Sequence, residues 1–183
     1  MNIPFVDLKN SYLEMEEEIN DAVLRCLHSG AYVLGPFVEK FEQEFAAFCG
    51  CKYGIGVNSG TSALHLALLA AGVGPGDEVL TTPLTFTATG AAIMYTGATP
   101  VFVDIDPGTL NIDPSRLGRS ITNKTKAIIV VHLYGCPAEM DALNEVARQA
   151  NLLVIEDAAQ AHGARYRGAR VGGLGDMGCF RFY

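Results

Sequence analysis

The spacing of apolar residues predicts two amphipathic helices near the start of the chain. Over residues 11–28, and again over residues 36–49, apolar side chains recur every three or four positions among charged ones, which is the period of an α-helix. Pro36 stands where the first residue of the second helix is expected. The second helix carries an aromatic stripe, which is more typical of a buried core than of a cofactor contact. Its members are Phe37, Phe41, Phe45 and Phe48.

From residue 53 onwards, short apolar runs alternate with helical patterns. The apolar runs predict strands over residues 53–57, 78–82, 100–106, 126–133, 152–157 and 179–183. Helices are predicted from Ser59 to Gly72, over residues 86–96 and over residues 138–150, and residues 105–118 form the longest loop. This alternation indicates an α/β fold with a mostly parallel sheet and helices on both faces. We expect an N-terminal segment and helix over residues 1–35 and a large domain over residues 36–183.

Composition narrows the possible partners and the compartment. The net charge of -7 argues against a protein that binds nucleic-acid backbones, which needs clustered Lys and Arg. The one basic cluster, Arg165, Arg167 and Arg170, is small. The chain has neither a long apolar run nor a signal-peptide pattern, so we expect no membrane span and a cytoplasmic location. The five cysteines form no C-x-x-C and the acidic residues lack metal-ligand spacing, so no metal site is predicted.

The first candidate for chemistry is a segment between a predicted strand and a predicted helix. Open α/β sheets bind ligands at the carboxyl ends of their strands. Here Gly60 allows an anion to approach the start of the helix closely, and the hydroxyls of Thr61 and Ser62 can donate hydrogen bonds to it. Taken alone, the segment is explained better by ordinary N-capping through Ser or Thr.

Two further strand ends offer a carboxylate and an aromatic ring. Asp157 follows a buried apolar run and needs a cationic partner, which a protonated pyridine nitrogen would supply. Gln160 follows at helical spacing, and its amide can donate to a ring oxygen. Phe86 precedes a predicted helix and can stack on a flat heterocycle. Simpler roles stay open: a turn cap for Asp157, a surface position for Gln160 and a core position for Phe86. His132 is predicted to be a buried strand histidine without a functional role.

The order of these segments along the chain carries more information than any one of them. The segments are G-P-F-V-E-K-F-E, S-G-T-S-A-L-H-L-A-L, G-P-G-D-E-V, P-L-T-F-T-A-T, P-V-F-V-D-I-D-P-G-T-L-N-I-D, V-H-L-Y-G-C-P-A-E-M-D and V-I-E-D-A-A-Q-A-H-G-A. They resemble, from about Ile3 to Tyr183, the DegT/DnrJ/StrS family of pyridoxal-phosphate-dependent sugar aminotransferases. The resemblance implies the large domain of a type I pyridoxal-phosphate fold, with three αβα layers and without the small C-terminal domain. It also implies a homodimer that transfers an amino group, with glutamate as donor, to a keto group of a nucleotide-linked sugar.

The resemblance also implies which residues contact pyridoxal 5′-phosphate. Carried over by position, they are Gly60, Thr61, Ser62, Phe86, Asp157 and Gln160. The first three hold the phosphate, the aromatic side chain stacks on the ring, the carboxylate pairs with the ring nitrogen, and the amide meets the ring hydroxyl.

Two features depart from the pattern of the family. Arg181 stands where the family usually has a serine that helps to bind phosphate. None of the five lysines lies at the place of the Schiff-base lysine, so we expect this lysine beyond Tyr183 and no transaminase activity from the 183-residue chain alone. Three other functions stay open. They are a sugar dehydratase with His in place of the lysine, a non-catalytic or regulatory relative that keeps the fold as a binding scaffold, and, more remotely, a nucleotide-binding doubly wound domain.

Overall fold

The first of two compact units is helical. The computed structural model describes Pro4 and residues 6–182, and the chain divides into Met1–Glu44 and Phe45–Tyr183. α1 (Leu8–Glu14) and α2 (Glu16–Ser29) belong to the first unit, and none of their described residues is buried. The single helix predicted over residues 11–28 is therefore two helices. Met15 leaves helical geometry between them, and the three glutamates that follow it favour a new helix N-terminus.

The third helix crosses the division between the units. α3 (Pro36–Cys49) begins at Pro36, as the sequence predicted. The sequence placed the domain boundary before this helix, whereas the compact units divide inside it. The expected burial of its aromatic stripe is wrong for Phe37, Phe41 and Phe48, which are 37%, 43% and 41% exposed. Phe45 is half-buried, and its ring meets that of Phe180 edge-on at a centroid distance of 4.9 Å.

The second unit is built on a five-stranded parallel sheet. In spatial order its strands are β2 (Thr99–Phe102), β1 (Glu78–Thr81), β3 (Thr125–Val131), β4 (Leu153–Asp157) and β7 (Met177–Cys179). At the carboxyl end of the sheet, Asp157 is paired with Val131 of β3 on one side and with Cys179 of β7 on the other. The register therefore places one acidic residue between two neighbouring strand ends. A separate two-stranded hairpin joins β5 (Arg165–Tyr166) to β6 (Ala169–Arg170).

Helices cover both faces of the sheet, as predicted. They are α4 (Gly60–Ala70), α5 (Thr87–Tyr95), α6 (Pro114–Leu117) and α7 (Met140–Ala150). The helix α6 was not predicted, because it lies within residues 105–118, which the sequence indicated to be a loop. Alternate residues of β3 face opposite layers. Ala127 and Ile129 belong to a core with side chains of α4 and α5, while Ile128 and Val130 belong to a core with side chains of α6 and α7. The unit is thus the three-layer αβα arrangement that the sequence indicated.

Two strand predictions were wrong. Residues 53–57 form no strand, and Tyr53 and Ile55 are 72% and 82% exposed. The glycines between the apolar residues provide no side chains to cover them, and no described strand pairs with the segment. The last strand, predicted over residues 179–183, is β7 and ends at Cys179. It ends there because its partner β4 ends at Asp157, which leaves the following residues without a ladder.

The described part of the chain has neither a membrane-spanning helix nor a cluster of metal-binding side chains. None of its helices is both long enough and apolar enough to cross a bilayer. Nor do its His, Cys, Asp and Glu side chains come together in any group of three or more that could hold a metal ion.

Candidate functional site

A cavity of about 410 Å³ lies at the carboxyl end of the parallel sheet. This volume falls in the range of roughly 300–1,000 Å³ that is usual for small-molecule sites. Five of the six residues that the sequence singled out line it, and Ser62 is the exception. The five are Gly60, Thr61, Phe86, Asp157 and Gln160. The fold therefore brings together residues from three segments that are far apart in the chain.

Asp157 is the buried acid of this cavity. Asp157 is 6% exposed, and burial raises the pKa of its carboxyl above the ordinary value of 3.8. The hydroxyl of Thr89 opposes this shift by donating to Oδ2 over 2.8 Å, and the amide of Ala159 donates to Oδ1 over 3.3 Å. A positive charge from Arg181 lowers the pKa of Asp157 as well. The carboxyl thus lies in an environment that favours a cationic partner.

Thr89 is a site residue that the sequence analysis missed. It lies on α5, is fully buried, and its hydroxyl oxygen is 2.8 Å from that of Thr85. The two threonines are four residues apart, so they meet at the start of a helix. The repeat of Thr in P-L-T-F-T-A-T was the available signal, but its partner lies 68 residues further along the chain.

The start of α4 forms one wall of the cavity. Ser59 is the N-cap, and its hydroxyl oxygen accepts a hydrogen bond from the amide of Ser62 over 3.1 Å. The hydroxyl of Ser59 also donates to that of Ser62 over 3.0 Å. The capping interpretation therefore holds for this pair, which explains why Ser62 does not line the cavity. Gly60 and Thr61, the first two residues of the helix, do line it.

Phe86 and Arg181 lie far apart in the chain, and both line the cavity. Phe86 is 63% exposed at the N-terminus of α5, so its ring is available to a ligand and is not a core side chain. The guanidinium carbon of Arg181 lies 5.9 Å from the centroid of that ring. A Cβ at Gly60 would lie 3.1 Å from the Cβ of Arg181, so a larger residue at this position would require Arg181 to shift by a few tenths of an ångström.

Gln160 is held at the rim of the cavity by a backbone contact. Its side-chain carbonyl accepts a hydrogen bond from the amide of Tyr134 over 3.2 Å. Tyr134 has a left-handed conformation with φ 52°, which is uncommon for a residue with a side chain, and it also lines the cavity. The side-chain NH₂ group is then the donor that Gln160 can offer to a ligand.

A buried hydrogen-bonded pair lies directly beside the acid of the cavity. Strand alternation turns Glu156 to the sheet face opposite Asp157, where its side chain is fully buried and lies 2.9 Å from Nε2 of His132. Burial raises the pKa of Glu156, but hydrogen bonds from His132, Gly172 and Gly175 outweigh this and lower it below 4.5. The sequence analysis gave His132 no role and did not single out Glu156.

Comparison with known proteins assigns the chain to a family. The model of the DegT/DnrJ/EryC1/StrS aminotransferase family matches residues 13–183. The chain belongs to this family. This match confirms the resemblance that the order of segments indicated. It also confirms pyridoxal 5′-phosphate as the cofactor that the resemblance implied.

Three relatives of this aminotransferase family illustrate the similarity. The chain is 50% identical, over 99% of its length and 48% of the other, to the dTDP-3-amino-3,4,6-trideoxy-alpha-D-glucose transaminase of Streptomyces venezuelae. It is also 50% identical, over 100% of its length and 49% of the other, to the "Pleiotropic regulatory protein" of Geobacillus stearothermophilus. The structure of NtdA from Bacillus subtilis with bound cofactor PMP has a TM-score of 0.83 at 35% identity, covering 93% of this chain and 40% of that one. The chain thus spans about half the length of the curated relatives it matches.

The residues of the cavity fit a phosphorylated pyridine cofactor. A buried carboxylate suits a protonated ring nitrogen, and an exposed aromatic ring suits a flat heterocycle. The N-terminus of α4 and the guanidinium of Arg181 supply positive potential at the cavity wall for an anionic group.

Proposed function

We propose that the full-length protein transfers an amino group from glutamate to the keto group of a nucleotide-linked sugar, with pyridoxal 5′-phosphate held in this cavity. The observation that carries the proposal is the buried carboxylate of Asp157, which faces a cavity of suitable size in a chain of the aminotransferase family. The transaminase of Streptomyces venezuelae, at 50% identity, supports the sugar substrate.

In this proposal the carboxylate of Asp157 pairs with the protonated ring nitrogen of the cofactor. When bound, the cofactor supplies a protonated pyridine ring that withdraws electrons from the carbon undergoing reaction. The carboxylate of Asp157 holds the proton on that nitrogen, and Thr89 and Ala159 keep the carboxylate ionised and oriented. Exclusion of water by the surrounding core strengthens the ion pair, because charges interact more strongly in a medium of low dielectric constant.

The remaining walls hold the cofactor at its other groups. Gly60 and Thr61 offer the amides of the first turn of α4, and a hydroxyl, to the phosphate. Phe86 covers one face of the ring. The NH₂ group of Gln160 donates to the ring hydroxyl, since its carbonyl is already engaged with Tyr134. Ser62 stays a predicted phosphate ligand, although its amide serves the capping pair.

The amine that binds the cofactor covalently has to come from elsewhere. All five lysines lie among the described residues, and none of them lines the cavity. We therefore place the Schiff-base lysine in the part of the full-length protein outside these residues. This lysine would also move the proton during amino transfer.

The assembly and the compartment are part of the proposal. A homodimer is proposed because the family resemblance implies active sites at a subunit interface. A cytoplasmic location is proposed because all five cysteines of the chain are free thiols, which is usual in a reducing compartment.

The test is an assay of full-length protein with pyridoxal 5′-phosphate, glutamate and keto nucleotide sugars. We expect 2-oxoglutarate and an amino sugar in equal amounts. Asp157→Asn, which keeps the size of the side chain and removes its charge, is the matched control and should be nearly inactive. Release of a deoxygenated sugar without 2-oxoglutarate would identify the dehydratase instead.

A non-catalytic binding scaffold is the second candidate. It is favoured by Arg181 in the cavity wall and by the 50% identity to a protein named as a regulator. Binding of the cofactor without turnover of any keto nucleotide sugar would support this function and exclude amino transfer.

A further inference from the structure

The carboxylate of Glu156 is surrounded by hydrogen-bond donors. Oε2 accepts from Nε2 of His132 over 2.9 Å and from the amide of Gly172 over 2.6 Å. Oε1 accepts from the amides of Leu174 and Gly175, each over 2.7 Å. A carboxylate has about four acceptor positions, so this buried group is fully occupied.

The donors require a carboxylate and exclude an amide. Nδ1 of His132 accepts a hydrogen bond from the amide of Ala138 over 3.1 Å, so the ring proton lies on Nε2 and is donated to Glu156. Glutamine at position 156 would present an NH₂ group to two of the four donors. Turning the histidine tautomer does not help, because Nδ1–H would then face the amide of Ala138.

The loop that Glu156 binds is closely packed along its backbone. At Gly173 an added Cβ would lie 2.5 Å from the carbonyl oxygen of Cys49, and at Gly175 it would lie 2.8 Å from that of Val154. At Gly178 an added Cβ would overlap the backbone of Gly172. Residues 172–178 are therefore held by backbone contacts on one side and by one carboxylate on the other.

This loop leads into a wall of the cofactor cavity. It continues into β7, where Gly178 is paired with Glu156 itself and Cys179 is paired with Asp157. Cys179 and Arg181 both line the cavity. The side chain of Glu156 lies on the opposite face of the sheet and does not line the cavity itself. It is connected to the cavity wall through the loop and β7, and through His132, which also lines the cavity.

We propose that Glu156 is a positioning residue, whose carboxylate holds the 172–175 loop so that β7 and Arg181 form the cavity wall beside Asp157. The inference rests on the proposed cofactor site. It assigns to the residue before Asp157 a role distinct from contact with the cofactor. Loss of the carboxylate should loosen this wall locally while the remainder of the sheet stays folded.

The first measurement is hydrogen–deuterium exchange in the cofactor-free, full-length protein. In Glu156→Gln, we expect the amides of residues 171–179 to exchange about tenfold or more faster, because two buried donors lose their acceptor. Leu117→Ala is the control: Leu117 is fully buried in the core beneath α6 and does not line the cavity. It should lower global stability without a selective change in that segment.

The second measurement is the affinity of the same variants for pyridoxal 5′-phosphate. We expect Glu156→Gln to bind about tenfold more weakly, and Leu117→Ala to stay within about twofold of wild type. If Glu156→Gln does not fold, Glu156→Asp serves, since its carboxylate is one methylene too short to meet all four donors. It should change both quantities in the same direction.

The outcomes separate this inference from the proposed function. Normal exchange in the loop, or an affinity loss no larger than that of Leu117→Ala, overturns the positioning role while wild-type binding stands. No binding of the cofactor by wild type overturns both the proposed site and this role.

Discussion

Thr89→Val tests whether a buried hydroxyl keeps Asp157 ionised. Thr89 is fully buried and donates to Oδ2 of Asp157 over 2.8 Å. Burial raises the pKa of Asp157, and this hydrogen bond lowers it. Valine keeps nearly the shape of threonine and removes the donor, so the pKa of Asp157 should rise further.

The size of the effect depends on the charge of the carboxyl. A hydrogen bond to a charged group contributes about 1.5–3 kcal/mol, and one between neutral groups about 0.5–1.5 kcal/mol. Because the folded-state pKa of Asp157 lies above 3.8, its ionisation already destabilises the fold as the pH rises through that pKa. Thr89→Val should therefore lose about 1.5–3 kcal/mol at neutral pH and less in acid, where the carboxyl is protonated.

The assay is urea unfolding of the cofactor-free, full-length protein from about pH 8 to about pH 4. Thr96→Val is the matched control. Thr96 is buried, follows the same helix, and its hydroxyl donates over 2.7 Å to the carbonyl of Ile93, which is neutral. Its loss should be about 1 kcal/mol at every pH. Equal losses with the same pH dependence in both variants would refute the role of Thr89.

Three further predictions address other parts of the site. Asp157→Asn should lower the rate of amino transfer on the order of 10²–10³-fold, because the ring nitrogen loses its anionic partner. Steady-state kinetics measure the rate, and thermal melting checks that the variant is folded. Turnover near that of wild type would contradict the role of Asp157. Gly178→Ala should lose about 1–3 kcal/mol in thermal melting, since its Cβ meets the backbone of Gly172. Gly74→Ala, with no atom within 4 Å of the new Cβ, should lose less than about 0.5 kcal/mol, and equal melting of the two would contradict this. The depressed pKa of Glu156 means that its stabilisation is present above 4.5 and is lost as the pH falls through the folded-state pKa. The melting temperatures of wild type and Glu156→Gln should therefore converge in acid, and a constant difference would disprove the assignment.

Much of the fold and part of the site could be predicted from local sequence. The period of apolar residues indicated α4, α5 and α7, and the apolar runs indicated β1, β3 and β4. These elements form where they were predicted because their apolar faces match the layers that bury them. The glycine-spaced run at residues 53–57 was wrongly predicted to be a strand. Its apolar residues suggested that a neighbouring layer buries them, but no such layer covers them in the structure.

By itself, the sequence determined the family, the cofactor that the family uses and the layered α/β fold, because the order and spacing of segments are properties of the chain. Only the tertiary structure decided which polar groups meet. Thr89 reaches Asp157 across 68 residues, and Glu156 gathers amides from a loop that begins at Gly172. Ser62 was excluded from the cavity by a hydroxyl three residues before it. Such contacts depend on how helices and loops pack against the sheet, and buried donors and acceptors find their partners only once that packing is complete.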